Sequence, residues 1–172
     1  MHDAFTISVP RLHTDRLTLR EYRAEDFELF ADHLSNPESS AHLGSADRPT
    51  AWRIFNSHAG LWLLSGAGWW SIEDRLTGRL VGSVGAFFRH EATVMEMGWN
   101  TYRAFWGKGI ANEAAAAVLQ YAFEVRGEQK VRALIASGNE SSLRVAERLG
   151  MRYEMKTELN GKEIDSYMRE RP

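Results

Sequence analysis

The stretch Arg103-Ala104-Phe105-Trp106-Gly107-Lys108-Gly109-Ile110-Ala111-Asn112-Glu113-Ala114 decides how the rest of the chain is read. In front of it stands an apolar, strand-like run, Thr93-Val94-Met95-Glu96-Met97-Gly98-Trp99, and behind it an alanine-rich helical run ends near Arg126-Gly127. Strand, glycine-spaced turn, helix is an order that builds an anion site. Gly107 and Gly109 let the backbone turn tightly with no Cβ in the way. Successive N–H groups in such a turn converge on an anion. The helix behind adds its free N–H groups and the positive end of its dipole. A pyrophosphate is the natural occupant. The common phosphate loops do not match: Lys108 sits between the glycines, Ile110 follows the second, and no third Gly or Ala stands where a Rossmann turn needs it. A Gly-x-Gly turn alone also serves as a structural bend, so its weight comes from the rest of the chain.

Length and composition narrow the field. With 172 residues, the chain is expected to form one domain, residues 1–172, with a substantial core. At 44% hydrophobic, 26% charged and a net charge of −2, it offers no electrostatic argument for nucleic acid or an anionic membrane as partner. It has no cysteine, which excludes disulfides, thiolate metal sites and a cysteine nucleophile. The histidines (His2, His13, His33, His42, His58 and His90) form no close pair of ligand spacing, so no metal is expected. No signal core and no apolar run of membrane length is visible, which favours the cytoplasm.

Hydrophobic periodicity orders the elements. Arg16 to Tyr22 alternates and reads as a first strand. A helix opens at Ala24-Glu25-Asp26 and ends at Asn36-Pro37; a second runs from Pro49-Thr50 to about Leu64. Trp69–Glu73 and Leu80–Phe88 form a hairpin, and Thr93 to about Tyr102 is the fourth strand. A third helix covers about Gly109–Val125, and Lys130–Ala136 is the fifth strand. Asn139 is a good N-cap for a helix ending at Leu149, with Gly150 after it. Two last strands, about Arg152–Leu159 and Glu163–Arg169, are joined by Asn160-Gly161, a two-residue hairpin signal. The expected class is α/β with a mixed sheet.

Four segments in this order resemble the GNAT superfamily of acyl-CoA N-acyltransferases, and within it the RimJ/RimL-like branch of ribosomal-protein N-terminal acetyltransferases. They are Thr14–Arg20, Glu96–Trp99, Trp106–Ala114, and Asn139–Ser142 followed by Glu147–Met151. The superfamily loop is Gln/Arg-x-x-Gly-x-Gly/Ala; Gly109 and Ala111 match its last two positions, while Trp106 replaces the Gln/Arg. The resemblance implies a mostly antiparallel mixed sheet of about seven strands, helices on both faces, and a splay between strands four and five. It implies acetyl-CoA as co-substrate, with the pyrophosphate on the amides of Phe105, Trp106, Gly107, Lys108, Gly109, Ile110 and Ala111. The pantetheine arm would pair with the backbone of Asn100, Thr101 and Tyr102 like an added strand.

The implied reaction is acyl transfer from a thioester to an amine. An unperturbed lysine titrates near ~10.4 and an α-amine near ~7.7–8.0, so a lysine acceptor needs more help from a base. A fourth-strand N–H is the expected oxyanion donor. Glu96, the one carboxylate in an otherwise apolar strand, is the candidate base, directly or through water; a structural carboxylate bonded to backbone or Arg is the other reading. Glu21 and Glu73 are weaker candidates. Many superfamily members carry a tyrosine acid where this chain has Ala146. By resemblance, the hydroxyl of Ser142 stands near the cofactor sulfur, where it can donate to a thiolate; it can also simply cap the first helical turn. Asn139 is a cofactor contact by resemblance and an N-cap by local chemistry. His42, Trp52, Phe55 and Trp70 are candidate acceptor-pocket residues, although core packing competes for the tryptophans.

Three functions follow. The first is acetyl transfer to a protein N-terminus or a small-molecule amine, with a homodimer compatible. The second is a coenzyme A-binding sensor or interaction module without turnover. The third, a nucleotide-phosphate binder, predicts tight ATP or NAD binding and no gain from coenzyme A.

Overall fold

The computed structural model describes residues 6–42 and 44–172. Two short strands, β1 (Leu12–His13) and β2 (Leu17–Arg20), precede a 3₁₀ turn at Ala24–Asp26 and helix α1 (Phe27–Ser35). Helix α2 (Arg48–Ser65) starts where the Asp47 side chain accepts from the Thr50 N–H at 2.9 Å, and stops at Gly66 in the left-handed region. Strands β3 (Gly68–Asp74), β4 (Leu80–Phe87) and β5 (Met95–Thr101) lead through a 3₁₀ turn (Arg103–Phe105) to α3 (Ile110–Gln120), which runs into a π-helical turn over Tyr121–Val125. Then come β6 (Lys130–Ile135), α4 (Glu140–Arg148), β7 (Arg152–Leu159) and β8 (Lys162–Glu170). The last hairpin turns on Asn160 (φ 53) and Gly161 (φ 75), the two positive φ values a type I′ turn requires.

The eight strands form one sheet in the order β1-β2-β3-β4-β5-β6-β8-β7, with all neighbours antiparallel except β5 and β6. The expected mixed, mostly antiparallel sheet is present, with one strand more than the seven anticipated. The addition is β1, whose two residues are too few to show alternation. The parallel pairing of β5 with β6 stops after Met95↔Val131, Glu96↔Arg132 and Met97↔Ala133. β5 runs on to Thr101 and β6 to Ile135 without each other, which is the expected splay.

Alternation sorts the side chains between two faces. Trp70, Val84, Ala86, Met95, Met97, Val131 and Ala133 share a core with Ala114, Ala115 and Val118 of α3, whose small side chains let helix and sheet approach closely. The opposite face carries Trp69, Ser71, Gly85, Glu96 and Gly98. Over it lie α1 and α2, joined to each other by a second core of Phe27, Phe30, Leu34, Ala51 and Phe55.

Candidate active site

Where β5 and β6 part, a cavity of about 680 Å³ opens, bordered by Met97–Thr101 on one side and Ala133–Ala136 on the other. Its backbone polarity follows from the β4 pairing. The Tyr102 N–H is donated to the Val81 carbonyl at 2.9 Å, so the Tyr102 amide points into the sheet. Successive residues alternate in the direction of their main-chain groups, so those of Thr101 and Trp99 point towards the gap. The Thr101 carbonyl accepts from the Trp106 indole N–H at 2.7 Å. Asn100 and Thr101 border the cavity, but the main chain of Asn100, like that of Tyr102, is turned to β4 and not to the gap; Tyr102 does not border the cavity. Its side chain is buried against the ring of His33, and its amide is used in the sheet. Trp99, outside the expected set, joins Thr101 as a residue whose main chain faces the gap.

At one end of the gap lies the glycine turn. Gly107 and Gly109 both have φ 74, a conformation that side chains with a Cβ resist. The first hydrogen bond of α3 is donated by Glu113 to the Gly109 carbonyl at 3.1 Å, so the amides of residues 110–112 have no intrahelical partner. The turn is braced from behind. Arg16 donates from Nη1 to the Lys108 carbonyl at 3.0 Å, and the Glu113 carboxylate accepts from the Thr14 hydroxyl at 2.6 Å and from Arg16 Nε at 2.6 Å. Partial burial pushes the Glu113 pKa up, but the Thr14 and Arg16 hydrogen bonds outweigh it and hold the carboxyl below its usual range. Phe105, Trp106, Gly107, Gly109, Ile110 and Ala111 border the cavity, and so does Asn112. Lys108 does not: it borders a separate hollow with Arg16 and Arg79, its ammonium 5.2 Å from the centre of the Phe105 ring. An exposed turn, free amides and no carboxylate along this stretch fit a diphosphate. Among the described residues the Oδ1 of Asn112 and the hydroxyl of Thr101 are buried without hydrogen-bond partners.

Across the gap, α4 begins. The Asn139 side chain accepts from the Ser142 N–H at 3.2 Å and from the Ser141 hydroxyl at 3.0 Å, so the predicted N-cap is formed. Asn139 and Ser142 also border the cavity.

The other end lies under α1 and α2. Trp69, Gly85 and Gly98 stand in register on three neighbouring strands. The Trp69 indole lies across both glycines; a Cβ at either would come within 2.6 Å of its ring. The ring of His58 stacks on the indole at 4.3 Å. Burial pushes the His58 pKa down to about 3, which keeps the imidazole neutral. Glu96 borders the cavity and is only 4% exposed. Arg89 donates to both of its oxygens, Nε at 2.8 Å and Nη2 at 2.6 Å, and the Arg132 guanidinium lies 3.9 Å away. The structural alternative for Glu96, a carboxylate held by arginine, is therefore realised in the geometry. Glu21 pairs with Arg11 and Arg23, and Glu73 with Arg20; neither borders the cavity.

Of the four expected acceptor-pocket residues, only His42 borders the cavity. Trp70 is fully buried on the α3 face, its indole N–H donated to the Pro10 carbonyl at 2.7 Å. Its neighbour Trp69 faces the cavity instead, since adjacent strand residues point to opposite faces. Phe55 is buried between α1 and α2, and half-exposed Trp52 packs on Phe27 and Phe55 from outside. Phe87, Arg89 and His33 complete this wall and were not anticipated. The Trp69–Gly85–Gly98 row could have been found only with the strand register in hand.

Among the described residues no group of three His, Asp or Glu side chains could hold a metal ion, and no helix is long and apolar enough to cross a membrane.

Comparison with known proteins places the fold. Over 90 residues the chain is 44% identical to the uncharacterized protein YkkB of Bacillus subtilis (strain 168), an alignment that spans 51% of this chain and about half (52%) of YkkB. A crystal structure of an acetyltransferase from Agrobacterium tumefaciens str. C58 superposes with a TM-score of 0.87 at 28% identity, covering 99% of this chain and 100% of that one. The fold is shared with RimL, a ribosomal L7/L12 α-N-protein acetyltransferase solved with coenzyme A, at a TM-score of 0.76 and 14% identity over 94% of this chain and 98% of RimL. The family model for the acetyltransferase (GNAT) domain matches residues 16–152, and the chain belongs to that family.

Proposed function

We propose that the protein transfers the acetyl group of acetyl-CoA to a primary amine, a protein N-terminus or a small-molecule amine, by direct attack in a ternary complex, as an enzyme of the RimJ/RimL-like kind. The observation that carries this reading is the continuity of one cavity. It joins the free amides of residues 110–112 to the face under α1 and α2 through the gap between β5 and β6. A thioester arm anchored by its diphosphate at one end can reach an amine at the other through that gap. RimL, which shares the fold, was solved with coenzyme A.

In this reading the turn at 105–111 and the start of α3 hold the diphosphate, and the main chain of Trp99 pairs with the pantetheine arm. The amine nitrogen bonds to the thioester carbonyl carbon, the C–S bond breaks, and the amine proton leaves through water to Glu96. Arg89 already occupies one lone pair on each Glu96 oxygen; each oxygen keeps a second for water. An N–H of β5 stabilises the oxyanion, and the Ser142 hydroxyl donates to the departing thiolate.

The test is incubation with acetyl-CoA and a panel of amines (peptides with free N-termini, polyamines, aminoglycosides), following thiol release. Amine-dependent release is expected. Coenzyme A binding without release from any amine would favour the sensor without turnover, and ATP or NAD binding in preference to coenzyme A the nucleotide binder.

A further inference from the structure

His33 closes the last turn of α1 and is 7% exposed. Its ring lies on that of Tyr102, centroids 5.1 Å apart, and borders the same cavity as Glu38, Ser39 and His42. Both ring nitrogens are buried and have no hydrogen-bond partner among the described residues. Burial lowers the pKa of the imidazole, so it is neutral at pH 7, with one N–H to donate and one nitrogen to accept. Buried polar atoms are seldom left unpaired, because each forfeits the water it would otherwise bind. A leucine or phenylalanine would fill this position on α1 without that loss.

Position says what the ring can reach. Tyr102 stands six residues after Glu96, about 20 Å along an extended strand. His33 therefore sits on the α1 side of the sheet at the C-terminal end of β5, beside the turn that leads to α3 and away from the carboxylate assigned as base. The facing segment is exposed at Glu38 and His42, and its tie to the turn after β5 is a surface ion pair, Glu38 to Arg103 at 2.5 Å.

Resting on the acetyl-transfer reading, we propose that His33 is a specificity-determining residue: its ring hydrogen-bonds a polar group of the acceptor remote from the amine being acetylated, so that extended acceptors are preferred over short ones. The class selected is an amine carried on a chain long enough to place a second donor or acceptor beside Tyr102.

The experiment measures kcat and KM for a short amine (ethanolamine) and two extended ones (spermidine and an unblocked hexapeptide), in the wild type and in His33→Phe and His33→Gln. Loss of one hydrogen bond predicts a KM for the better extended acceptor about three- to tenfold higher in His33→Phe. Partial recovery is expected in His33→Gln, with KM for ethanolamine and acetyl-CoA unchanged. Thermal melts of both variants report folding; a purely structural histidine would alter the melts and leave the ratio of KM for extended amines to KM for ethanolamine alone. Equal effects on short and extended amines, or a change in KM for acetyl-CoA, overturn the proposal while acetyl transfer stands. Absence of thiol release from every amine overturns both.

Discussion

Trp69 lies flat because two glycines face it. In register on β4 and β5, Gly85 and Gly98 leave a shallow trough on the sheet, and the indole fills it. Gly98→Ala would push a methyl group to within 2.6 Å of the ring, and overpacking of that kind costs about 1–3 kcal/mol. Urea unfolding should show the loss, and the acceptor KM should rise because the cavity wall is displaced; unchanged midpoints would mean the trough is looser than drawn. Glu96→Gln keeps the size of the side chain but removes its charge. As a general base acting through water, Glu96 predicts a fall in kcat of about a hundredfold with coenzyme A affinity retained; a fall below threefold would leave only its ion pair with Arg89. His58 gives a pH prediction. Its folded pKa of about 3 lies below the ordinary 6.5, so the unfolded chain takes up the proton first. Stability is full above pH 6.5 and declines as pH falls towards 3, by at most about 1.4 kcal/mol per pH unit. His33, also lowered by burial, acts in the same sense. Unfolding midpoints at pH 7, 6 and 5 should fall in the wild type and fall less in His58→Phe; equal slopes would assign the effect elsewhere.

At the scale of elements, the start of α3 carries the most weight. Its first turn borders the cavity, and Glu113 ties that turn to Thr14 and Arg16. Glu113→Ala removes hydrogen bonds to a charged group and should cost about 1–2 kcal/mol. It should also weaken coenzyme A several-fold in a binding titration, since the turn loses its brace; unchanged affinity would show that the turn holds its shape unaided. Much of this element was legible in the sequence, because Gly107, Gly109 and the alanine run each announce a local backbone preference. The cap at Asn139 and the Asn160-Gly161 turn were legible for the same reason. The short strand β1 was not, since two residues carry no period. Trp70 was chosen over Trp69 for the pocket because alternation says that neighbours diverge without saying which one faces the core. The roles of Trp52 and Phe55 depended on how α1 packs on α2, which no local pattern records.

For the whole molecule, one break in sheet pairing organises the rest. If β5 and β6 had continued in register past Met97 and Ala133, the cavity would be filled and the amides of α3 would face a closed sheet edge. The segment order in the sequence pointed to that splay through family resemblance alone, because nothing in residues 98–101 or 134–135 forbids pairing locally. The most direct measurement is isothermal titration calorimetry of coenzyme A into the wild-type protein, with the complex then probed by Gly109→Val. The wild type should bind one equivalent with an affinity within the ~1 μM–1 mM span usual for enzyme substrates. The variant, forced to hold φ 74 with a β-branched side chain, should bind at least tenfold more weakly. No heat of binding in the wild type at millimolar coenzyme A, or equal affinity in the two proteins, would contradict the account.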